Sequence, residues 1–495
     1  MSNQAIPLPS TRAPELIRGL RLVDSTMIVM GSMIGSGIFI VSADVARQLP
    51  SPGLLILAWV LSGIFTMACA VGFAELAGAL PHAGGQYVYL REAFGPLLGF
   101  LFGWTLFLVI QTGTIAAVAV AFAKFLGVLF PAVSSTRYLV NLGEFSLPFT
   151  AHRVLAAIST QQLAAIISIV VLTVINCFGI RMGAIVQNLF TFTKTTALLA
   201  LALLGIFVGW NAQAVSANYG DFWRNMHWSY PMLAALGVAM VGPIFAADAW
   251  YNIAFTGEEV ENPGRNLPLS MVLGVGLVCL LYVVTNFVYL GVLPLEGSPD
   301  GTTLLTRGIQ YAAEDRVGTA AAQVIFGQAG LWLMALAVVI STFGCNNGII
   351  LSGARVYYAM ARDKLFFSSV AKIHPRYRTP VTSLVVQSVW ACLLTLSGTY
   401  SELLDYIIFA VLLLNVLTTC ALFVLRRKRP DLYRPYRTWG YPFLPILFIV
   451  MAGFIEFVLL LYKPQYTWPG LIIVLLGLPV YYLWRRFGAQ SEPGA

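Results

Sequence analysis

The chain is predicted to be an all-α polytopic membrane protein with 12 transmembrane helices. Of its 495 residues, 58% are hydrophobic and only 10% are charged, and the mean hydropathy is +0.80. So few charges cannot cover a water-soluble protein of this size, whereas runs of about 20 apolar residues cross a bilayer as helices. The apolar runs predict spans at 24–48, 53–80, 96–130, 160–180, 184–210, 231–257, 269–294, 324–361, 380–397, 401–425, 441–462 and 467–486.

Lysine and arginine are distributed unevenly over the connections between these spans. If the tails 1–22 and 487–495 are both cytoplasmic, most basic residues fall in inner loops and few in outer loops. This positive-inside pattern predicts a protein of the cell inner membrane, so the net charge of +8 does not indicate nucleic-acid binding. The densest run, Arg426 to Arg429, is interpreted as an orientation signal, with attraction of anionic membrane lipid as the alternative.

Span 1 is interrupted near its centre by GSMIGSGIF, from Gly31 to Phe39. Each glycine costs roughly 1 kcal/mol relative to alanine in a helix, so this stretch predicts local unwinding. Unwound backbone in the hydrocarbon region must be covered by protein or line a wet cavity, and secondary transporters bind solutes at such places. The alternative is that Gly31 and Gly35 form a GxxxG packing face.

Span 6 contains a second irregular stretch, VGPIFAADAW, from Val241 to Trp250. Pro243 removes a backbone donor, so we expect the helix to break at Gly242 and Pro243. Spans 1 and 6 are five spans apart, as expected of two inverted repeats, and corresponding interruptions in two repeats indicate a transport site. The predicted divisions are 23–210 for spans 1–5, 231–425 for spans 6–10 and 441–486 for spans 11–12.

The break in span 1 offers backbone groups that suit an amino acid. The N–H groups of Gly35, Ser36 and Gly37 begin a half-helix, whose positive end binds a carboxylate. The first half-helix ends near Met33 and Ile34, where carbonyl groups can accept hydrogen bonds from an ammonium group. A zwitterion needs both kinds of partner at close quarters.

Three side chains deep in the spans are candidates for further roles. An ionisable residue in a span is costly and indicates function. Asp248 is interpreted as contacting a cationic substrate side chain, carrying a coupled proton, or pairing with a basic residue. Lys194 supplies a fixed charge or carries a proton, with snorkelling to the interface as the alternative. Phe245 is the candidate gate over the substrate, with plain packing as the alternative.

The inner connections carry two further expectations. The segment 81–95 mixes proline, glycine and aromatic residues and predicts an interfacial or re-entrant helix rather than a span. Glu75, Arg91 and Arg355 are expected to form ion pairs on the inner side that hold a closed state. The six cysteines lie within or at the ends of spans, and neither a disulfide, a cofactor nor a metal site is predicted.

The motifs, taken in order, resemble those of the amino acid–polyamine–organocation superfamily. The likeness is strongest to L-type amino acid transporters and their bacterial relatives, and it covers nearly the whole chain. The motifs are GSMIGSGIF, AELAGALPHAGGQYVYLREAFGP, TFTK, FAADAWYNIAFTGEEVENPGRNLP, GARVYYAMARDKLFF with IHPRYRTPV, and LRRKRPDLYRPYRTWGYP.

The resemblance implies a LeuT-like fold with a 5+5 inverted repeat, broken helices 1 and 6, and sodium-independent transport, commonly as obligatory exchange. Phe245 matches the outer gate of the family, and Lys194 matches the lysine that replaces a sodium site. The resemblance implies that Ser36, Gly37 and their neighbours hold the substrate carboxylate and that carbonyl groups near Met33, Ile34, Phe245 and Ala246 take its amino group. With Gly35, Asp248 and Tyr251, these residues make up the predicted substrate site.

Three departures from the family pattern bear on partner and substrate. The outer segment 131–159 lacks the cysteine that light chains use to join a heavy subunit, so a stand-alone transporter is expected. Asp248 occupies a position that is glycine in several large-neutral carriers and aspartate in cystine and dibasic carriers. That favours cationic substrates, with small neutral ones still open because Ala247 and Ala249 alter the pocket. Tyr251 stands where asparagine commonly follows the tryptophan, which also changes the pocket.

These observations predict a sodium-independent exchanger of cationic or neutral L-amino acids that works by alternating access. The alternative is a proton-coupled amino acid or polyamine permease, with Lys194 or Asp248 carrying the proton. An intramembrane enzyme is disfavoured, because the sequence has no catalytic triad, metal-ligand motif or second carboxylate at useful spacing beside Asp248.

Overall fold

The computed structural model describes residues 15–146, 153–396, 400–462 and 464–488. Within these ranges, ten helices are long and apolar enough to cross a membrane. The shorter apolar helices Tyr230–Ala246 and Val381–Thr395 occupy the positions predicted for spans 6 and 9, which completes the twelve spans. The protein is therefore a polytopic, all-α membrane protein. We call the face at which span 1 begins the N-terminal face, and the other the opposite face.

The first five spans contain one broken helix and one helix with a π-helical turn. A short helix lies between spans 2 and 3, as predicted for segment 81–95. In chain order the elements are α1 (Leu22–Met33) and α2 (Gly37–Gln48) of span 1, α3 (Pro52–Ala79) of span 2, α4 (Gln86–Phe94), α5 (Pro96–Thr105), the π turn Leu106–Ile110 and α6 (Gln111–Leu129) of span 3, strands β1 (Tyr138–Ser146) and β2 (Arg153–Ser159), α7 (Thr160–Cys177) of span 4 and α8 (Ile180–Phe207) of span 5.

The remaining spans contain the second broken helix. Three short elements lie between spans 7 and 8. Helix α9 (Ala212–Tyr219) precedes span 6, which consists of α10 (Tyr230–Ala239), α11 (Val241–Ala246) and α12 (Asn252–Phe255). Span 7 is α13 (Pro263–Val292), and the short elements after it are α14 (Leu304–Arg307), the 3-10 turn Ala313–Asp315 and α15 (Val317–Phe326). The last five spans are α16 (Gln328–Arg362), α17 (Val381–Thr395), α18 (Tyr400–Lys428), α19 (Phe443–Tyr462) and α20 (Pro464–Gly488).

Packing between the helices follows the two-repeat arrangement. Span 2 packs extensively against span 7, and span 3 against span 8, so each pair joins members five spans apart. Within span 1, α1 packs against α8, α13 and α16, whereas α2 packs against α11 and α15. The broken helices therefore lie in the centre of the bundle. The exact divisions 23–210, 231–425 and 441–486 stay a prediction.

Two structural features differ from the sequence prediction. Strands β1 and β2 pair as an antiparallel hairpin in the segment 131–159, which hydropathy marked only as a polar connection. Span 8 begins at Gln328 rather than at 324, because Gly327 takes a left-handed conformation, with φ of 61°, and separates α15 from α16. Both features depend on backbone conformation, which apolar content does not report.

The span limits also shift by a few residues. Helix α13 starts at Pro263 instead of 269, because proline is well tolerated in the first turn, where its missing N–H leaves no bond unmade. Helix α8 starts at Ile180, before the predicted 184. Polar residues in a first helical turn lower the local hydropathy without preventing the helix.

Candidate functional site

The break in span 1 lies where the sequence predicts it. Helix α1 ends at Met33, Ile34 leaves the helical conformation with φ of −76° and ψ of 88°, and α2 begins at Gly37. All of the predicted residues from Met33 to Gly37 are buried. Glycine at positions 31, 35 and 37 weakens the helix here, and the surrounding helices supply partners for the freed backbone groups.

Span 6 is interrupted on both sides of the predicted Gly242 and Pro243, and the longer irregular stretch comes after them. Helix α10 ends at Ala239 and α11 runs from Val241 through Gly242 and Pro243 to Ala246, so the helix is interrupted at Met240, next to the predicted residues, and again after Ala246. Pro243 is the third residue of α11, where the first N–H groups of a helix need no intrahelical partner. Irregular backbone follows from 247 to 251, and Ala249 adopts a left-handed conformation with φ of 66°.

The two breaks come into direct contact. A Cβ placed on Gly37 would lie 2.6 Å from Cβ of Ala246, so only glycine allows this approach. The hydroxyl of Tyr282, on α13, lies 3.0 Å from the carbonyl oxygen of Met33 and 3.1 Å from that of Ala246. The two carbonyl groups therefore converge on one point. Tyr282 was missed by sequence reasoning, because nothing in span 7 marks which of its tyrosines faces the centre.

Lys194 lies beneath the break in span 1. Its Nζ donates to the carbonyl oxygens of Gly31 at 2.5 Å and Ile34 at 2.6 Å, and it lies 3.3 Å from that of Ser341. The residue is 1% exposed, so the snorkelling alternative is excluded. Ser341, on α16, also donates from its hydroxyl to Ile34, 3.0 Å away. The ammonium group thus binds the carbonyl end of the first half-helix in the manner of a fixed cation.

Asp248 lies in the irregular segment of span 6 and contacts a hydroxyl group. The Tyr251 hydroxyl is 3.1 Å from Oδ2 of Asp248, and both side chains are buried. No basic side chain lies within ion-pair distance of Asp248 in the part of the chain that the structure describes, so pairing with a basic residue does not explain this carboxylate. Tyr251 contacts the cavity through Asp248, while its ring packs against Trp250 and Phe255.

A small cavity joins the two breaks. It encloses about 20 Å³, room for about one water molecule, so an amino acid enters only when the helices around it separate. Phe245 is half-buried at its edge. The lining includes predicted residues of both breaks and several that the sequence did not single out. Lining residues are Ser32, Met33, Gly35, Ser36, Gly37, Thr114, Val118, Phe245, Ala246, Asp248, Ala249, Cys345 and Ile349.

Ion pairs close the N-terminal face below the cavity. Arg355 forms a bidentate pair with Glu259, with nitrogen–oxygen distances of 2.7 and 3.1 Å, and neither side chain is exposed by more than 1%. The backbone carbonyl of Glu259 accepts from the N–H groups of Gly19 and Leu20, 2.9 and 3.0 Å away. We call the Arg355–Glu259 pair the latch. Together with the backbone bonds of Glu259, it joins span 8, the segment after span 6 and the chain that leads into span 1.

The other two predicted members of the closed face pair elsewhere. Glu75 binds Arg426, with a closest nitrogen–oxygen distance of 2.5 Å, and Arg91 binds Asp363. The Tyr87 hydroxyl donates to the same Asp363, 2.6 Å away, and burial raises the pKa of Tyr87, so it remains a donor. Glu75, Arg91 and Arg355 thus all form ion pairs, but in three separate places.

The opposite face is closed by a different set of contacts. Arg47, at the end of α2, donates to the carboxylate of Asp315 at 2.6 Å and to the carbonyl oxygen of Gln310 at 2.8 Å. With both faces joined, the conformation is an occluded one. Among the described residues, no three His, Cys, Asp or Glu side chains lie close enough together to hold a metal ion.

Comparison of the sequence with known proteins identifies the family to which the chain belongs. The profile of the amino acid permease family matches residues 20–481. The chain is 29% identical over 469 residues to the serine/threonine exchanger SteT of Bacillus subtilis (strain 168), covering 94% of this chain and 97% of the relative. It is 28% identical over 482 residues to b(0,+)-type amino acid transporter 1 of Mus musculus, covering 96% and 90%. It is 30% identical over 475 residues to the large neutral amino acids transporter small subunit 2 of Homo sapiens, covering 94% and 80%. The chain therefore belongs to the amino acid permease family, within the amino acid–polyamine–organocation superfamily.

Proposed function

We propose that the chain is a sodium-independent amino acid exchanger that alternates access around the breaks of spans 1 and 6. The observation that carries the proposal is the meeting of the two breaks at one buried cavity, where carbonyl oxygens and the amino end of α2 lie side by side. This arrangement suits a zwitterion, because its carboxylate and ammonium groups need opposite partners at close range. The names of the relatives, an exchanger and amino acid transporters, support the same function.

The substrate carboxylate is proposed to bind at the start of α2. Gly35, Ser36 and Gly37 line the cavity, and the amino end of a helix carries about half a positive charge. Backbone groups bind any α-carboxylate without regard to the side chain attached to the same carbon. The carboxylate site therefore defines the class of substrate and not its identity.

The substrate ammonium group is proposed to bind the carbonyl groups of Met33 and Ala246, which already lie within reach of a single small group, the hydroxyl of Tyr282. The neighbouring carbonyl oxygens have partners already, since that of Ile34 accepts from Lys194 and Ser341 and that of Phe245 accepts from the N–H of Asp248. A carbonyl oxygen has two lone pairs, and that of Met33 already accepts from the Gly35 N–H, so the ammonium group would take the place of the Tyr282 hydroxyl there. The ammonium would thus hold both broken helices at once.

Asp248 is proposed to select the substrate side chain. Its carboxylate lines the cavity and has the Tyr251 hydroxyl as its side-chain partner, so a cationic substrate would supply the missing positive charge. Burial of an unpaired carboxylate is costly, and the cost falls when a cation binds next to it. Small polar substrates that donate a hydroxyl group would satisfy the same oxygen less strongly.

Lys194 and Phe245 are proposed to act in the transport cycle, Lys194 as a replacement for a sodium ion and Phe245 as a gate. The Lys194 ammonium replaces a sodium ion by binding the carbonyl end of α1, so no sodium gradient enters the cycle. Phe245 lies half-buried at the edge of the cavity, where a movement of its ring opens or covers the substrate. Substrate binding at both breaks then favours the occluded conformation by drawing the half-helices together.

The proposed setting is the inner membrane, with the N-terminal face in the cytoplasm, as the positive-inside pattern favours. We propose a stand-alone transporter without enzymatic activity. The segment 131–159 has no cysteine with which to join a heavy subunit, although the human relative is named a small subunit.

Binding of substrate analogues to the purified protein tests this recognition. L-arginine should bind at least tenfold more tightly than agmatine, its analogue without the carboxylate, because hydrogen bonds to a charged group are worth about 1.5–3 kcal/mol each. Asp248→Asn should weaken arginine binding relative to leucine binding. The matched control Glu456→Gln removes another carboxylate, in α19 and outside the cavity lining, and should leave this ratio unchanged. Equal affinity for arginine and agmatine would identify an organic-cation permease instead.

A further inference from the structure

A second and much larger cavity lies on the N-terminal face, away from the substrate site. It is an open groove with a volume of about 770 Å³ between the end of α3, the start of α13 and the connection between spans 10 and 11. We call it the lateral groove. Its lining includes Ala79, Arg265, Leu269, Val272, Tyr433 and Tyr436.

The walls of the lateral groove are held by a buried carboxylate. Glu75 accepts hydrogen bonds from the Arg426 guanidinium at 2.9 and 2.5 Å and from the N–H of Thr438 at 2.7 Å, and it forms an ion pair with Nε of Arg434, 3.3 Å away. These bonds fasten the connection between spans 10 and 11 to span 2. The walls of the groove are therefore fixed in position by these contacts, and the groove is not a gap beneath a loosely held loop.

One side of the groove continues into a lipid-facing surface of span 7. Leu269 lies in the groove and is 37% exposed, and Leu273, Leu277 and Leu280 follow it along α13 with exposures of 46, 51 and 63%. Spacings of three and four residues place these leucines on one face of the helix. In a membrane this face contacts hydrocarbon, so an acyl chain that lies along it leads directly into the groove.

The polar end of the groove carries an uncompensated positive charge. Arg265 is exposed, lines the groove, and has no ion-pair partner among the residues that the structure describes. By contrast, the arginines that the sequence marked as a candidate lipid site are partly engaged, since Arg426 binds Glu75 and Arg429 binds Glu92. The unpaired cation of Arg265 thus lies beside an acyl-chain path and not in the densest basic run.

We propose that the lateral groove binds one anionic phospholipid from the adjoining leaflet, with the headgroup phosphate at Arg265 and an acyl chain along the leucines of α13. The charge of Arg265 fits a phosphate, and basic pockets beside transmembrane helices bind anionic headgroups. Exposed Trp439 and Phe443 flank the same connection, as aromatic residues do at the membrane interface. The occupant would tie span 2 and span 7 together near the latch that Glu259 forms.

Native mass spectrometry of the purified chain with equal amounts of phosphatidylglycerol and phosphatidylcholine tests the proposal. The wild type should retain phosphatidylglycerol preferentially. Arg265→Gln should reduce that preference about fivefold, which corresponds to the roughly 1 kcal/mol expected per basic residue at a charged membrane surface. Val272→Trp, which fills the groove without changing its charge, should reduce retention of both lipids.

Arg427→Gln is the matched control, because it removes an exposed arginine from the same face but outside the groove lining. It should leave retention unchanged. An equal loss in Arg427→Gln and Arg265→Gln would show general attraction to a basic face and overturn the proposal. Displacement of phosphatidylglycerol by millimolar inorganic phosphate would also overturn it, because that outcome identifies a site for soluble anions.

Discussion

The contact between Gly37 and Ala246 makes a sharp prediction about transport. In Gly37→Ala the new Cβ would lie 2.6 Å from Cβ of Ala246 and 3.0 Å from its Cα. Carbon atoms pack best at about 3.5–4.0 Å, so the two half-helices must separate by about 1 Å. Overpacking of this kind costs about 1–3 kcal/mol. The cost falls on the conformation that the structure describes, in which α2 and α11 touch at this point.

A penalty of that size lowers the population of the occluded state by about 5- to 150-fold. We expect exchange of labelled amino acid across liposomes to fall by the same order, while the protein remains folded by thermal unfolding in detergent. The added methyl group does not strain the backbone, since Gly37 has an ordinary negative φ as the first residue of α2.

A double-mutant cycle separates this clash from a general defect. Ala246→Gly removes the facing Cβ but keeps the Cα at 3.0 Å, so the pair Gly37→Ala with Ala246→Gly should recover part of the lost exchange. Gly453→Ala is the matched control, because a Cβ at that glycine meets nothing within 4 Å. Wild-type exchange in Gly37→Ala, or no recovery in the double variant, would refute the close approach of the two breaks as the basis of occlusion.

Three further changes test other parts of the site. Lys194→Met removes a charge-assisted hydrogen-bond donor, worth about 1.5–3 kcal/mol, from the carbonyl of Gly31. We therefore expect exchange to fall more than tenfold and the melting temperature to fall as well. Undiminished exchange would contradict this expectation. Arg355→Met should lower the free energy of unfolding by about 3–5 kcal/mol, since it leaves the Glu259 carboxylate buried without its partner; a melting temperature equal to that of the wild type contradicts it. Ala249→Gly should raise stability by about 1 kcal/mol by relieving a left-handed alanine, and a fall in melting temperature contradicts it.

The sequence was sufficient to predict the helical fold and the position of the first break. Long apolar runs and glycines at 31, 35 and 37 depend on local physics, namely transfer into lipid and helix propensity. The burial of Lys194 was also predictable, because a lysine about ten residues inside a span is too far from the interface for its side chain to reach water.

The second half of the site was harder to predict, because it depends on three-dimensional neighbours. Pro243 indicated a break close to its own position, and α10 does end at Ala239, but the longer unwound stretch begins only after Ala246, where no residue marks it as clearly. Tyr282 and Ser341 bind the freed carbonyl groups from helices whose sequences look like ordinary spans. Their roles follow from which face of each helix points to the centre, and one apolar sequence does not reveal that orientation.

The ion-pair partners on the N-terminal face were also not predictable from the sequence. Hydropathy and charge marked Glu75 and Arg355 as unusual residues near the ends of spans. Their partners, Arg426 and Glu259, lie far away in the chain, and no local pattern joins them.

The most direct test of the proposed exchange is a count of molecules moving in each direction. Purified protein in sodium-free liposomes, with an uncoupler present to collapse proton gradients, would be loaded with one labelled amino acid and exposed to another. The proposal predicts one molecule released for each molecule taken up, and no uptake into empty vesicles. In parallel vesicles without the uncoupler, uptake into the empty lumen that requires an imposed pH gradient would contradict exchange and identify a proton-coupled permease.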